Sequence, residues 1–297
     1  MTAGPEGGGL PALSTQDAAA LAEQHGLMRL GGRPPFGSYL RQLWRRRSFL
    51  WTLSRAEAEE SNAEDRLGVL WTVLNPLFLV VSYFLIFGLL LETSRGVDNY
   101  IGFLSIGVVI FGFSSAAITK GARSIIGNLS LVRALRFPRA ILPLSVTLTE
   151  GLMALPAIAI LLLVMLATGE RPALSWLLLP VALLLQTGIL AGLVLMGARL
   201  LNVSRDLGNL IPVAIRLFRY ISGVFFSIAH YAEGHAVVSA ALNYQTLALP
   251  LTLVRQALLG EFDVAPADWG IGAAWAVVLL VGGLWLFWRD EAKYGRG

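Results

Sequence analysis

The residues of this chain best suited to chemistry are three histidines, a few isolated carboxylates, two lysines and a pair of arginines in an apolar run. His25 stands alone, and His230 and His235 are five apart, which does not place two ligands on one helix face. They read as solvated loop residues, so no metal site is expected. The absence of cysteine removes disulfides, thiolate nucleophiles and cysteine-ligated metals. Asp206 is the only acid in its turn and Glu150 the only carboxylate away from the ends of a long apolar run, so paired carboxylates for acid–base hydrolysis are missing. A loop that cradles ATP phosphates ends in Gly-Lys followed by Ser or Thr; Lys120 follows Thr119 and Lys293 follows Ala292, so neither lysine completes one. No catalytic residue and no bound cofactor are therefore expected, and ATP with its Mg would reside on another polypeptide.

Arg216 and Arg219 are the charges that most need a reason. An arginine near mid-bilayer costs about 2.5–3.5 kcal/mol on insertion scales, so both should face a wet cavity or a partner. Their i, i+3 spacing aligns them on one helix side. With Tyr220 beside them they could contact a diphosphate or sugar hydroxyls, and Glu150 is the candidate counter-charge. Two other readings stay open: pairing purely for structure, and snorkelling to the headgroups.

The elements that carry these residues follow from composition. Apolar residues make up 56% of the 297 and charged residues 14%, with a mean hydropathy of +0.67, against about a quarter charged in soluble domains. The chain reads as an all-α membrane protein. Apolar windows long enough to span fall at 67–91, 99–119, 141–168, 174–200, 207–228 and 267–288. The run over 236–259 holds Asn243, Tyr244, Gln245 and Pro250, and is expected to form a re-entrant helix pair before the last span. Of the 23 Lys and Arg residues, 18 fall on one face of this topology, 3 on the other and 2 within the fifth window, which places both termini in the cytoplasm. The net charge of +4 is thus a retention signal, and nucleic-acid binding is not expected.

Four regions result: a mobile cytoplasmic tail over 1–35, an amphipathic interfacial helix and linker over 36–66, a six-span domain over 67–288, and a C-terminal tail over 289–297. The tail is rich in Gly, Ala and Pro, and its first 30 residues lack the apolar core of a cleavable signal, so insertion is expected to rely on an internal span. From Tyr39 onward, Leu40, Leu43, Trp44, Leu50 and Trp51 form one stripe while Arg41, Arg45, Arg46 and Arg47 crowd elsewhere, as in a helix lying on an anionic membrane face. A helix packed on a soluble partner shows the same pattern.

Three stretches, each at a cytoplasmic boundary of this topology, carry a family resemblance. They are Arg66-Leu67-Gly68-Val69-Leu70-Trp71 with Asn75-Pro76, then Asn128-Leu129-Ser130-Leu131-Val132-Arg133 with Phe137-Pro138-Arg139-Ala140-Ile141-Leu142-Pro143, and Arg205-Asp206-Leu207-Gly208. In order, they resemble the permease subunit of bacterial polysaccharide exporters of the ATP-binding-cassette class, which export O-antigen, teichoic acid and related glycans. The resemblance covers residues 38–297. The chain departs from it in the long amino-terminal tail and over Ser54 to Asn62, where a more basic segment is common. Leu89 to Gly96 is similar to actinobacterial members that export galactan.

The resemblance implies a homodimeric ABC-2-type permease in the plasma membrane, bound to two cytosolic ATPase subunits and carrying a polyprenyl-diphosphate-linked glycan. Asn128, Leu131, Arg133, Phe137, Pro138 and Arg139 would form the loop that couples to the ATPase. Positive-inside retention alone would also account for Arg133 and Arg139. Leu67, Gly68, Trp71 and Pro76 would form a cytoplasmic gate: glycine permits a sharp turn, tryptophan suits the interface, and proline bends the helix one turn in. A static aromatic anchor is the plainer reading of Trp71. The competing functions are a drug or lipid exporter of the same superfamily and a membrane-embedded glycosyl- or phospho-transferase.

Overall fold

The computed structural model describes residue 21 and residues 34–63, 69–91, 96–135, 137–204, 206–232, 234–291 and 294. Most of the expected tail over 1–35, Leu67 and Gly68 of the expected gate, Arg205, and the C-terminal tail beyond Glu291 apart from Tyr294 lie outside the described residues. Among the described residues every regular element is a helix. The amphipathic segment folds as α1 (Phe36–Arg45) and α2 (Arg47–Ala63). Then comes α3 (Val69–Tyr83), which runs on into a π-helical stretch, Phe84–Leu90. The long α4 (Tyr100–Ala122) leads to the short α5 (Ser124–Gly127) and α6 (Leu129–Ala134). After a loop come α7 (Ile141–Ala167), a 3-10 turn over Leu174–Leu178, and α8 (Leu179–Val203). The chain closes with α9 (Leu207–Ile221), α10 (Ile228–Tyr231), α11 (Ala236–Asn243), α12 (Leu249–Leu258) and α13 (Pro266–Arg289).

Among the described residues, four stretches are long and apolar enough to cross a bilayer: Tyr100–Ala122, Ile141–Ala167, Leu174–Val203 and Pro266–Arg289. They match the second, third, fourth and sixth expected windows. The first window folds as a helix whose apolar part, Leu74–Leu90, is shorter and contains Pro76 and the π-helical stretch. The fifth falls short of its expected end at residue 228, because α9 stops at Ile221. Gly223 takes φ +66°, and a Cβ there would meet Ile228 Cδ1 at 2.8 Å, so the chain turns where the window predicted helix. Over 236–259 the chain makes two short helices, α11 and α12, and Pro250 starts the second instead of interrupting a longer one.

Helix α4 is the buried centre, packed against α7 and α8. Lipid tails are as apolar as leucine, so helices in a bilayer gain little from hiding leucine from each other and depend on close backbone approach. The α8–α13 contact meets that requirement with glycine. A Cβ on Gly192 would collide with the backbone carbonyl of Leu279, and one on Gly283 would lie 2.6 Å from Gly192 O.

The turns sort into two ends, each held by hydrogen bonds. At one end, Asn99 caps α4 by accepting from Gly102 N (2.9 Å) and donates to Thr168 Oγ1 (2.9 Å) and Glu170 Oε1 (3.0 Å). Glu170 Oε2 also accepts from Gly260 N (3.1 Å), and Glu261 Oε2 accepts from Asp98 N (2.7 Å). At the other end, Arg123 donates to Gly208 O (2.8 Å), and Arg199 pairs with Asp290 (2.7 Å).

Gly192→Val is expected to force α8 and α13 apart at a cost of about 1–3 kcal/mol, the range for overpacking a filled interior. The thermal unfolding midpoint in detergent should fall accordingly. Gly282→Ala is the control, since the added carbon would meet nothing nearer than Met196 Cε at 3.7 Å. Equal midpoints for the two variants would contradict the close approach.

Candidate functional site

The expected coupling residues run from the start of α6 into the loop that follows it. Asn128 Nδ2 donates to Ser124 O (3.0 Å), which turns the chain between α5 and α6. Leu131 packs into a small apolar cluster with Val132, Leu142, Leu195 and Phe287, while Arg133 is exposed. The Phe137 ring packs edge-to-face with Phe49 of α2, with centroids 5.6 Å apart, and Pro138 is buried. Arg139 is half-buried and faces the end of the chain. Its backbone N–H donates to Glu291 Oε1 (2.9 Å), and its guanidinium donates to the Glu291 carbonyl.

Tyr39 of α1 completes this arrangement from a third segment. Its hydroxyl donates to Glu291 Oε2 (2.8 Å) and accepts from Ala140 N (3.2 Å), in a side chain that is 1% exposed. Burial holds the Glu291 carboxyl above the usual carboxylate range, opposed by the bonds from Arg139 and Tyr39 and by the Arg139 charge. Burial likewise raises the Tyr39 phenol, and the nearby Glu291 charge adds to the shift. Sequence reasoning missed both Tyr39 and Glu291 in this role. A tyrosine in an amphipathic stripe and a carboxylate in a polar tail carry no local mark of being paired across about 250 residues.

Of the expected gate, Trp71 is exposed near the start of α3 and Pro76 lies within that helix. Both border a cavity of about 380 Å³ between α3, α4 and α7, together with Ser61, Asn75, Lys120 and Glu150. Here one expectation is corrected. Glu150 meets neither Arg216 nor Arg219: Lys120 Nζ lies 2.7 Å from Glu150 Oε1. The reason is helix length, because α4 continues to Ala122 and carries Lys120 in its last turn, whereas the window placed that lysine in a loop. Glu150 is 8% exposed and Lys120 59%, so the lysine bridges the buried acid to the open cavity.

Arg216 is exposed on α9. Arg219 donates to Tyr83 Oη (3.2 Å), with its guanidinium 5.5 Å from the Phe111 ring centre. Tyr220 is exposed and its ring lies 5.5 Å from Phe225, which stacks on Phe87 at 4.4 Å. The deeply buried arginine is a different one. Arg255, assigned to the outer face by the charge count, is 5% exposed in α12 and lies over Phe103 at 3.4 Å. It donates to Gly223 O at 2.8 Å and thereby holds the turn that ends α9. Its position inside the apolar run Leu247–Leu259 was the available signal.

Four apolar helices long enough to cross a bilayer, with a cavity between helices lined by Asn75, Lys120 and Glu150, are the arrangement of a multi-pass membrane protein. The ABC-2 type transporter family matches residues 48–253, well over half of the chain, and the chain belongs to that family. It is similar to the O-antigen export system permease protein RfbA of Klebsiella pneumoniae, at 29% identity over 161 residues, covering 54% of this chain and 61% of that protein. A second such protein from the same organism matches at 29% over 162 residues, covering 54% and 62%. The protein of the same name from Myxococcus xanthus matches at 26% over 217 residues, covering 70% and 83%. The match thus spans about three-fifths of the length of the Klebsiella relatives.

The observed pairing makes a separable prediction about Glu150. Lys120→Met and Glu150→Gln should be coupled in a double-mutant cycle by about 0.5–3 kcal/mol, as expected for residues in direct contact. Arg219→Gln with Glu150→Gln should be additive to within about 0.5 kcal/mol. Unfolding of each variant in detergent measures both terms, and strong coupling of the second pair would restore the Arg219–Glu150 pairing.

Proposed function

We propose that this chain is the transmembrane subunit of an ATP-driven exporter that moves a lipid-linked polysaccharide outward across a bacterial plasma membrane. The observation that carries the reading is the similarity to O-antigen export system permeases within a matched ABC-2 family. In this reading two copies enclose the path. Each binds a cytosolic ATPase subunit through Asn128, Leu131, Arg133, Phe137, Pro138 and Arg139, and the ATPases hold ATP and Mg. The exposed face of α6 and the basic character of the loop support docking of an acidic partner surface there. The cargo is a polyprenyl-diphosphate-linked glycan, whose sugars offer hydroxyls to polar side chains and ring faces to aromatic ones.

The finer topology belongs to the same proposal. It has six crossings, with α3 and α9 supplying the first and fifth, α1 and α2 lying at the cytoplasmic interface, and α11 and α12 forming the re-entrant pair. Exposed Trp44 and Trp51 beside Arg41, Arg45 and Arg46 support an interfacial placement of α1 and α2. Both termini are cytoplasmic. Arg216, on the exposed side of α9, and the half-buried Arg219 beside Tyr83 face the path, where they can meet a diphosphate, and Trp71 and Pro76 stand at its cytoplasmic mouth with Leu67 and Gly68.

Depletion of the chain should make polyprenyl-linked glycan accumulate inside the cell, measured by lipid extraction and glycan analysis. Unchanged glycan with accumulation of another lipid or drug would replace the cargo assignment. Cysteine placed at Glu261 should react with an impermeant label from outside, whereas cysteine at Ser130 or Ser204 should react only after permeabilisation. Outside labelling at Ser130 would overturn the topology. Phe137→Ala with Arg139→Ala should lower ATP-driven export while leaving insertion intact, and normal export would remove the coupling assignment.

A further inference from the structure

A loop that receives force from a partner is useful only if it does not flex. Between α6 and α7 the local backbone bonds, Leu135 N to Leu131 O (3.0 Å), Ile141 N to Pro138 O (3.0 Å) and Leu142 N to Arg139 O (3.1 Å), tie the loop only to the two helices it joins, so stiffness against the rest of the protein must come from cross-links. Three bonds supply it, all converging on Glu291: Arg139 N to Oε1 at 2.9 Å, Tyr39 Oη to Oε2 at 2.8 Å, and the Arg139 guanidinium to the Glu291 carbonyl. A fourth, Ala140 N to Tyr39 Oη at 3.2 Å, closes the ring through the next peptide. Both carboxylate oxygens are therefore committed, one to the loop and one to α1.

The segment bearing Glu291 directly continues α13, and α13 is seated on α8 through Gly192 and Gly283. Arg199 of α8 pairs with the neighbouring Asp290 at 2.7 Å. Phe287 and Tyr294 stack at 4.4 Å, and the Tyr294 hydroxyl donates to Phe287 O at 3.0 Å, which folds the tail back on the helix end. A displacement of Arg139 thus has a bonded route into two membrane helices and into the interfacial helix α1.

We propose that Glu291 is a positioning residue for energy coupling. Its carboxylate clamps the Arg139–Ala140 backbone to α13 and, through Tyr39, to α1, so that loop motion is delivered to these elements as one body. The proposal rests on the exporter reading above and adds to it the tail and α1 as working parts of the junction.

The test has a part that needs no partner and a part that does. In the purified chain, Glu291→Ala and Tyr39→Phe should each speed amide hydrogen exchange at Arg139 and Ala140 by about tenfold, as loss of a native hydrogen bond allows local opening, with exchange in α4 unchanged. Glu291→Gln keeps a carbonyl acceptor for Arg139 N–H and should restore most of the protection. In membranes containing the chain with its own ATPase subunit, the Ala and Phe variants should assemble and hydrolyse ATP, while glycan reaching the surface per ATP falls severalfold. A structural role alone would lower assembled complex and leave that ratio unchanged. Unaltered exchange removes the clamp, and raised exchange with an unaltered ratio removes its positioning role. Either result overturns the proposal. If Glu291→Ala fails to accumulate, Tyr39→Phe decides alone, because it deletes one hydroxyl and keeps the ring. A wild-type transporter that exports no glycan would fail the exporter reading instead, and leave the exchange result standing.

Discussion

Every peptide group inside a bilayer must find its hydrogen-bond partner within the protein, and helices solve that need locally. Once the backbone is satisfied, association between helices depends on how closely their surfaces approach. In this chain the limiting contact is glycine against backbone, with Gly192 and Gly283 on α8 and α13. Gly121 on α4 gives room to a side chain, since a Cβ there would collide with Val194 Cγ1. The long helices therefore form a dense group about α4, and the less regular segments are arranged around it.

That arrangement explains which features were legible in the sequence. Helix bounds at Tyr100, Ile141 and Pro266 follow windows drawn from apolar length, because lipid imposes a simple rule on composition. Family membership was legible from short motifs at the turns. The end of α9 was not, since it depends on Gly223 fitting against Ile228, a contact between residues whose apolarity gives no warning of a turn. The first and fifth windows also showed the limit of hydropathy, which registers Pro76 or two arginines as small losses in a mean.

Charges were harder, for a related reason. Counting Lys and Arg treats each as belonging to the nearest loop, and Lys120 and Arg255 violate that assumption in different ways. Lys120 sits on an extra helical turn and meets Glu150; Arg255 is buried on Phe103 and holds Gly223 O. Arg219 similarly finds Tyr83 rather than a carboxylate. Partner choice for a charge in an apolar setting is decided by which donors and acceptors the fold brings near, and spacing along one helix does not contain that information.

The two ends of the molecule differ in how they are bound, and that difference bears on motion. At the Glu291 junction, carboxylate, phenol, guanidinium and backbone groups tie three distant segments together in a buried setting, where unmade bonds are costly. Toward the other end, α11 has no buried residue, and α10 is a single short turn. Elements with few buried apolar contacts open at low free energy, while densely packed ones move as bodies. Displacement introduced at the tied end would therefore pass through α8 and α13 with little loss. It would be absorbed at α11, which has no buried residue, rather than at the turn that Arg255 holds, where Val224 and Phe225 are each 1% exposed.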